Sequence, residues 1–165
     1  MAPRGRVTRP TSDRVREALF SILGPVVAGA RVLDLFAGSG ALAIEALSRG
    51  ASSAVLVDVS AGAIAAARRN LSSLNVSAEV VRMPGLSYLE RARSDGRQYD
   101  LVFLDPPYRQ ASTLGRELTD ALAPVLSGDA RVVSESDRRA PLELGFALLD
   151  ERRYGDTLIR IHDSR

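Results

Sequence analysis

Three carboxylates in this chain, Asp34, Asp58 and Asp105, sit at turns where they could hold a ligand. Asp34 opens the segment Asp34-Leu35-Phe36-Ala37-Gly38-Ser39-Gly40, whose glycines permit a tight turn and close approach of backbone to a bound molecule. Gly38-x-Gly40-x-x-Ala43 also fits the dinucleotide fingerprint, with Asp58 eighteen residues after Gly40 as a ribose acceptor. Asp34 separates the two readings. A carboxylate four residues before Gly38 would repel a pyrophosphate, yet it could accept a charge-assisted bond from the ammonium of a methionine moiety. Asp58, which closes Val55-Leu56-Val57-Asp58, is placed to accept both ribose hydroxyls and so supports an adenosine ligand of either kind. A turn that only caps the following helix would explain each segment without a ligand.

The third carboxylate stands in Asp105-Pro106-Pro107-Tyr108. Two prolines stiffen the turn, while Asp105 and the Pro106 carbonyl can both accept hydrogen bonds from an amino group. Tyr108 offers a ring on which a base could stack, worth about 1–3 kcal/mol in single-stranded binding. A plain turn would account for the prolines but not for the acid before them and the aromatic after them.

Positioning these residues requires alternating strands and helices. Apolar spacing at Val15, Ala18, Leu19, Ile22 and Leu23 predicts a helix over 12–23, stopped by Gly24-Pro25. Strands are expected at 31–35, 53–58, 78–82, 100–104 and 130–135. Helices are expected from about Gly40 to Ser48, from a Ser60 cap to about Leu71, near 86–93, and within 110–126 ending before Pro124. Residues 146–152 and 157–161 read as two strands joined across Arg153-Tyr154-Gly155-Asp156. The pattern predicts an α/β fold: a doubly wound, mostly parallel seven-stranded sheet with a C-terminal antiparallel hairpin. In such sheets ligands bind beyond the carboxyl ends of the strands, so the turns after strands one, two and four should converge on one cleft.

The 165 residues suit one domain, 1–165, with 1–11 as a short basic arm. No apolar run approaches the roughly 20 residues of a membrane span, and the N-terminus lacks the pattern of a secretory signal. A cytoplasmic protein is expected. Cysteine is absent and the sole histidine is His162, which argues against thiolate or histidine metal sites and against a Ser-His-Asp hydrolase; no metal is expected. All 22 basic residues are arginine, for a net charge of only +2. Arginine suits phosphate and base contact, although the same usage could reflect genomic base composition. Arg4, Arg6, Arg9, Arg14 and Arg16 face a single acid, Asp13, within residues 1–16, which resembles a phosphate-binding surface.

Asp34-x-x-x-Gly38-x-Gly40, Asp58 and Asp105-Pro106-Pro107-Tyr108, in that order, resemble the amino-methyltransferases of the Rossmann-like class. Asp-Pro-Pro-Tyr is similar to the signature of enzymes that methylate adenine N6 or guanine N2. The stretch from Arg9-Pro10-Thr11-Ser12 to Phe20, together with Leu33 to Gly40 and Tyr154-Gly155-Asp156-Thr157, looks like the RsmD family, over about Arg9 to Ile161. That family methylates a guanine N2 in small-subunit ribosomal RNA.

The resemblance implies S-adenosylmethionine as cofactor, with S-adenosylhomocysteine as its product. It implies cofactor contacts from Arg9, Thr11, Asp34, Phe36, Ala37, Gly38, Ser39, Gly40, Asp58 and Val59. Asp105, Pro106, Pro107 and Tyr108 would form the catalytic turn, and Arg4, Arg6, Arg14, Tyr108 and Arg109 would meet RNA. The expected partner is small-subunit ribosomal RNA or the assembled subunit, with no membrane, and the expected state is a monomer. Family members tend to carry an acid after strand three for the adenine amine; Val81-Arg82-Met83-Pro84-Gly85 offers none, so backbone and apolar contacts are expected there. Family members also begin with a longer stretch than the Met1 to Thr8 that precedes the Arg-Pro-Thr motif here. Three other readings remain open: an adenine-N6 DNA methyltransferase using the same site, a non-catalytic RNA-binding or assembly module, and a nicotinamide-dependent oxidoreductase.

Overall fold

The computed structural model of the protein describes residues 12–106 and 111–165. In chain order the elements are α1 (Ser12–Leu23), β1 (Arg31–Asp34), α2 (Ala41–Ser48), β2 (Ser53–Asp58), α3 (Ala61–Ser73), β3 (Glu79–Arg82), α4 (Gly85–Ser94), β4 (Tyr99–Leu104), α5 (Ala111–Leu122), β5 (Leu126–Asp137), β6 (Leu148–Tyr154) and β7 (Thr157–Asp163). The strands form one seven-stranded sheet in the order β3-β2-β1-β4-β5-β7-β6. Pairs among β3, β2, β1, β4 and β5 are parallel, while β7 runs antiparallel to both β5 and β6. The doubly wound α/β expectation, with an antiparallel C-terminal pair, describes this sheet.

Residue alternation along the strands decides which helices cover which face. Leu33, Val102, Val132 and Leu104 belong to one buried cluster with Tyr88 and Leu89 of α4 and Leu118 and Leu122 of α5. Val32, Leu101, Phe103 and Val133 belong to the other, with Leu19 and Phe20 of α1, Ala43 and Ala46 of α2 and Ala67 of α3. The Phe20 and Phe103 rings stand 5.8 Å apart in a tilted pair, and the Arg49 guanidinium lies 5.2 Å from the Phe20 ring centre. Such aromatic contacts add about 0.5–1.5 kcal/mol beyond the burial itself. They anchor α1 across the strands that carry Asp34 and Asp105.

The chain winds outward through β1, β2 and β3, then crosses back to lay β4 on the other side of β1. The switch point therefore lies between β1 and β4, where a crevice opens beyond the strand ends. Register makes the convergence concrete. Asp34 is level with Leu56 and Phe103, and Leu104 is level with Ser134.

β5 and β6 differ from expectation at both ends, and β7 runs two residues further than expected, to Asp163. β5 runs over Leu126–Asp137, well beyond 130–135. It is extended at one end by pairing of Leu126 with Tyr99 and at the other by pairing of Ser136 and Asp137 with β7. The β6 strand starts and ends two residues later than expected, because the turn needs only Gly155 and Asp156 between Tyr154 and Thr157. Gly155 has φ 61°, a conformation suited to a two-residue hairpin. Among the described residues, no helix is long and apolar enough to cross a membrane.

Candidate active site at the carboxyl ends of the strands

The glycine turn after β1 is held from three sides. The Ala37 N–H donates to the Val57 carbonyl at 3.0 Å, and Gly40 N–H closes the turn on the Ala37 carbonyl at 2.9 Å. The Gly38 N–H donates to Oδ2 of Asp58 at 2.9 Å, while Oδ1 of Asp58 accepts from the Ser60 N–H at 2.9 Å. The Asn70 amide donates to the Ser39 carbonyl at 3.0 Å, tying the turn to α3. Gly38 and Gly40 have φ 56° and 84°, in the left-handed region where a side chain is strained. A Cβ on Gly40 would also lie 2.6 Å from Cδ2 of buried Leu56.

Asp34 is 3% exposed at the end of β1. The Ala43 N–H bonds to its carboxylate, but Oδ2 is buried and has no hydrogen-bond partner among the described residues. Burial pushes its pKa up to about 7, the negative charge of Asp58 adds to the rise, and the Ala43 bond partly offsets it. An orphaned carboxylate oxygen in a dry position is costly unless a donor meets it. A ligand ammonium satisfies both the hydrogen bond and the charge.

Asp34 opens into a cleft of about 210 Å³ that also meets Phe36 to Ser39, Leu104 and Asp105. Asp34 and Asp105, distant in sequence, thus line one crevice from neighbouring strands. Asp105 is exposed, and Pro106 after it is buried. Asp58 and Val59 lie behind the glycine turn and are not part of the cleft lining. Val59 is exposed, and its carbonyl accepts from Arg82 Nε at 3.0 Å.

Arg14 is exposed on α1. Arg4, Arg6, Arg9, Thr11, Pro107, Tyr108 and Arg109 lie outside the described residues.

The cleft also holds Glu135 from β5 and Ile159 from β7, which sequence reasoning did not single out, beside Arg16 of the basic stretch over 1–16 and Thr157, the last residue of the Tyr154-Gly155-Asp156-Thr157 stretch. Arg16 reaches Asp13 at 2.6 Å and Glu45 at 4.0 Å. No local motif marks Glu135, and the stretch ending at Thr157 pointed to the family rather than to the cleft. The available signal was their position at strand ends, which becomes informative only when β7 is known to lie beside β5. A wider depression of about 570 Å³ sits at the opposite, amino end of the sheet, between Arg31, Ser53, Glu79 and Arg97. Its arginines are engaged: Arg31 with Asp100 at 2.9 Å and Arg97 with Glu79 at 3.2 Å. The smaller cleft is the one at the ligand-binding end of such a sheet. Among the described residues, no group of three or more His, Cys, Asp or Glu side chains could hold a metal ion.

The family described as Conserved hypothetical protein 95, the RsmD family, matches residues 1–163. The chain belongs to that family. The match takes in both the Arg9-Pro10-Thr11 segment and the Tyr154 to Thr157 turn of this RsmD-family chain. YlbH of Bacillus subtilis is 36% identical over 98% of this chain and 90% of its own length. Ribosomal RNA small subunit methyltransferase D of Haemophilus influenzae is 32% identical, over 94% of this chain and 83% of its own. The solved structure of the methyltransferase yhhF from Escherichia coli superposes with a TM-score of 0.82 at 35% identity, covering 98% of this chain and 90% of that one.

Proposed function

We propose that this protein transfers a methyl group from S-adenosylmethionine to the exocyclic N2 of a guanine in small-subunit ribosomal RNA. The observation that carries the reading is the buried Oδ2 of Asp34, without a partner among the described residues, at one side of a cleft whose other side is formed by Asp105. Relatives named as small-subunit ribosomal RNA methyltransferases support the substrate class. A more distant neighbour of the same fold was solved in complex with S-adenosylhomocysteine.

In this reading Asp34 accepts from the cofactor ammonium, and the backbone of Phe36 to Gly40 surrounds its methionine part. Asp58 keeps lone pairs beyond the two backbone bonds it accepts, and these serve the ribose hydroxyls. When bound, S-adenosylmethionine supplies a sulfonium-activated methyl; the products are the N-methylated base, the thioether S-adenosylhomocysteine and one proton. Asp105 and the Pro106 carbonyl accept from the guanine amine and aim its lone pair. Positioning dominates such a reaction, and oriented groups gain up to about 7–11 kcal/mol over free encounter. Stacking by Tyr108, closure by Arg9 and Thr11, and phosphate contacts from Arg4, Arg6, Arg14 and Arg109 are assigned on the family resemblance. The target base must be unpaired or flipped out to reach the cleft. The protein is proposed to work as a cytoplasmic monomer of one domain, with S-adenosylmethionine as its only cofactor and no metal.

The test is transfer of labelled methyl from S-adenosylmethionine to small subunits lacking the modification, with nucleoside analysis of the product. N2-methylguanosine that disappears with Asp105→Ala is the expected result. Methyl transfer to a different base atom would overturn the guanine-N2 reading, and cofactor binding without transfer would overturn the catalytic one.

A further inference from the structure

We infer that Glu135 determines base specificity, its carboxylate accepting the N1–H of the target guanine beside the amine that Asp105 receives. The inference rests on the guanine-N2 reading above and adds a residue to it that neither the motifs nor the resemblance assigned.

Placement carries the argument. β4 and β5 are parallel neighbours with Leu104 level with Ser134, so Asp105, the first residue past β4, and Glu135 on β5 follow a paired position on adjacent strands. Both line the cleft that reaches Asp34. Along β5, Ser134 and Ser136 are buried while Glu135 is half-buried and shares a face with Val133, another residue of the cleft wall. On the far side Glu135 is level with Ile159, and Thr157 and Ile159 complete that wall. A glutamate at this point places an acceptor-only group at the base end of the cleft, away from Asp34 at its cofactor end.

Guanine and adenine differ in what they present next to the position carrying the reactive amine. Guanine offers the N1–H donor beside its N2 amine, whereas adenine has a bare N1 acceptor beside its N6 amine. A carboxylate accepts and cannot donate. Adjacent strands stand about 4.8 Å apart, a span that side chains of unequal length, Asp and Glu, can close upon one base edge. Glu135 would therefore accept from N1 while Asp105 accepts from the amine. A base with an unprotonated N1 would direct a lone pair at the carboxylate. Sites built to hydrogen-bond a particular donor reject analogues that lack it more strongly than apolar pockets reject a missing methylene.

The experiment uses the full chain and two substrates. Product analysis with unmodified subunits first locates the methylated guanosine. Small-subunit RNA is then ligated with either guanosine or 2,6-diaminopurine riboside at that position. Diaminopurine keeps the 2-amino group but has no hydrogen on N1. Wild type should methylate the guanosine substrate at least about tenfold faster. Glu135→Gln, whose amide can donate to a bare N1 and still accept from N1–H, should cut that ratio at least about fivefold, chiefly through better use of diaminopurine. Affinity for S-adenosylhomocysteine reports that the variant is folded. Equal use of both bases by wild type overturns the inference, as does an unchanged ratio or an equal loss on both bases in the variant. Absence of N2-methylguanosine with wild type is a different failure, that of the guanine-N2 reading itself.

Discussion

The backbone N–H of Gly38 and the carboxylate of Asp58 meet at 2.9 Å, so the acid that ends β2 holds the turn that follows β1. Asp58 is thereby a part of the loop's architecture as well as a candidate ribose acceptor. Its second oxygen accepts from Ser60 at 2.9 Å, at the start of α3. Hydrogen bonds to charged groups contribute about 1.5–3 kcal/mol each. Asp58→Ala should lower stability by about 3–6 kcal/mol even without cofactor, measured by denaturant unfolding. A ribose-binding role alone would leave the cofactor-free stability unchanged.

Asp34 links cofactor affinity to pH. With its pKa pushed up to about 7 by burial, the carboxyl is largely protonated at pH 6 and ionised at pH 8. An ammonium ligand favours the ionised form, so affinity for S-adenosylhomocysteine should rise between pH 6 and 8, and binding at pH 6 should release a proton. Calorimetry in buffers of different ionisation enthalpy measures that release. Asp34→Asn should weaken binding and flatten the profile; a steep profile in that variant would assign the effect to another group.

The same residue shapes stability in the opposite direction. The folded pKa of Asp34 lies above its unfolded value of 3.8, so the folded state holds the proton more tightly. That contribution is full below about pH 4 and is lost as pH rises through about 7. Asp34→Asn should therefore stabilise the cofactor-free protein at pH 8 relative to wild type, with little gain near pH 4. Thermal unfolding of both proteins across this range gives the comparison.

His162 contributes with the other sign. It is 3% exposed on β7, its Nδ1 lacks a partner among the described residues, and burial pushes its pKa below the usual 6.5. The unfolded chain takes up the proton first, so this residue's share of stability is full above about pH 6.5 and declines as pH falls below it. Replacing His162 with Gln in the Asp34→Asn background should flatten the remaining slope between pH 5 and 7. An unaltered slope there would remove His162 as its source.

Gly40→Ala tests the tight approach of the turn to β2. The left-handed backbone costs an alanine about 1–2 kcal/mol, and the 2.6 Å encounter with Leu56 adds overpacking of about 1–3 kcal/mol. The expected loss is about 2–5 kcal/mol of unfolding free energy, because Leu56 is fully buried and cannot move freely. Wild-type stability in this variant would show that the turn relaxes.

What the sequence determined by itself is local. Glycine turns, caps, the apolar runs of parallel strands and the acids that end them are encoded within a few residues, because they follow from backbone conformation and hydrogen bonding between near neighbours. So the order of strands and helices was legible, along with the Ser60 cap, the Gly38 and Gly40 turn, and Asp34 and Asp105 as cleft residues. Tertiary structure alone decided that β7 returns between β5 and β6, since an antiparallel pair has the same alternation in either order. That return brings Glu135, Thr157 and Ile159 to the cleft, and the packing of α1 brings Arg16. It also decided that Asp34 is buried with one oxygen unmet among the described residues while Asp58 is occupied in holding the loop, although both are aspartates ending neighbouring strands. Burial and partner choice depend on residues brought together across the sheet, and no short stretch of chain contains them.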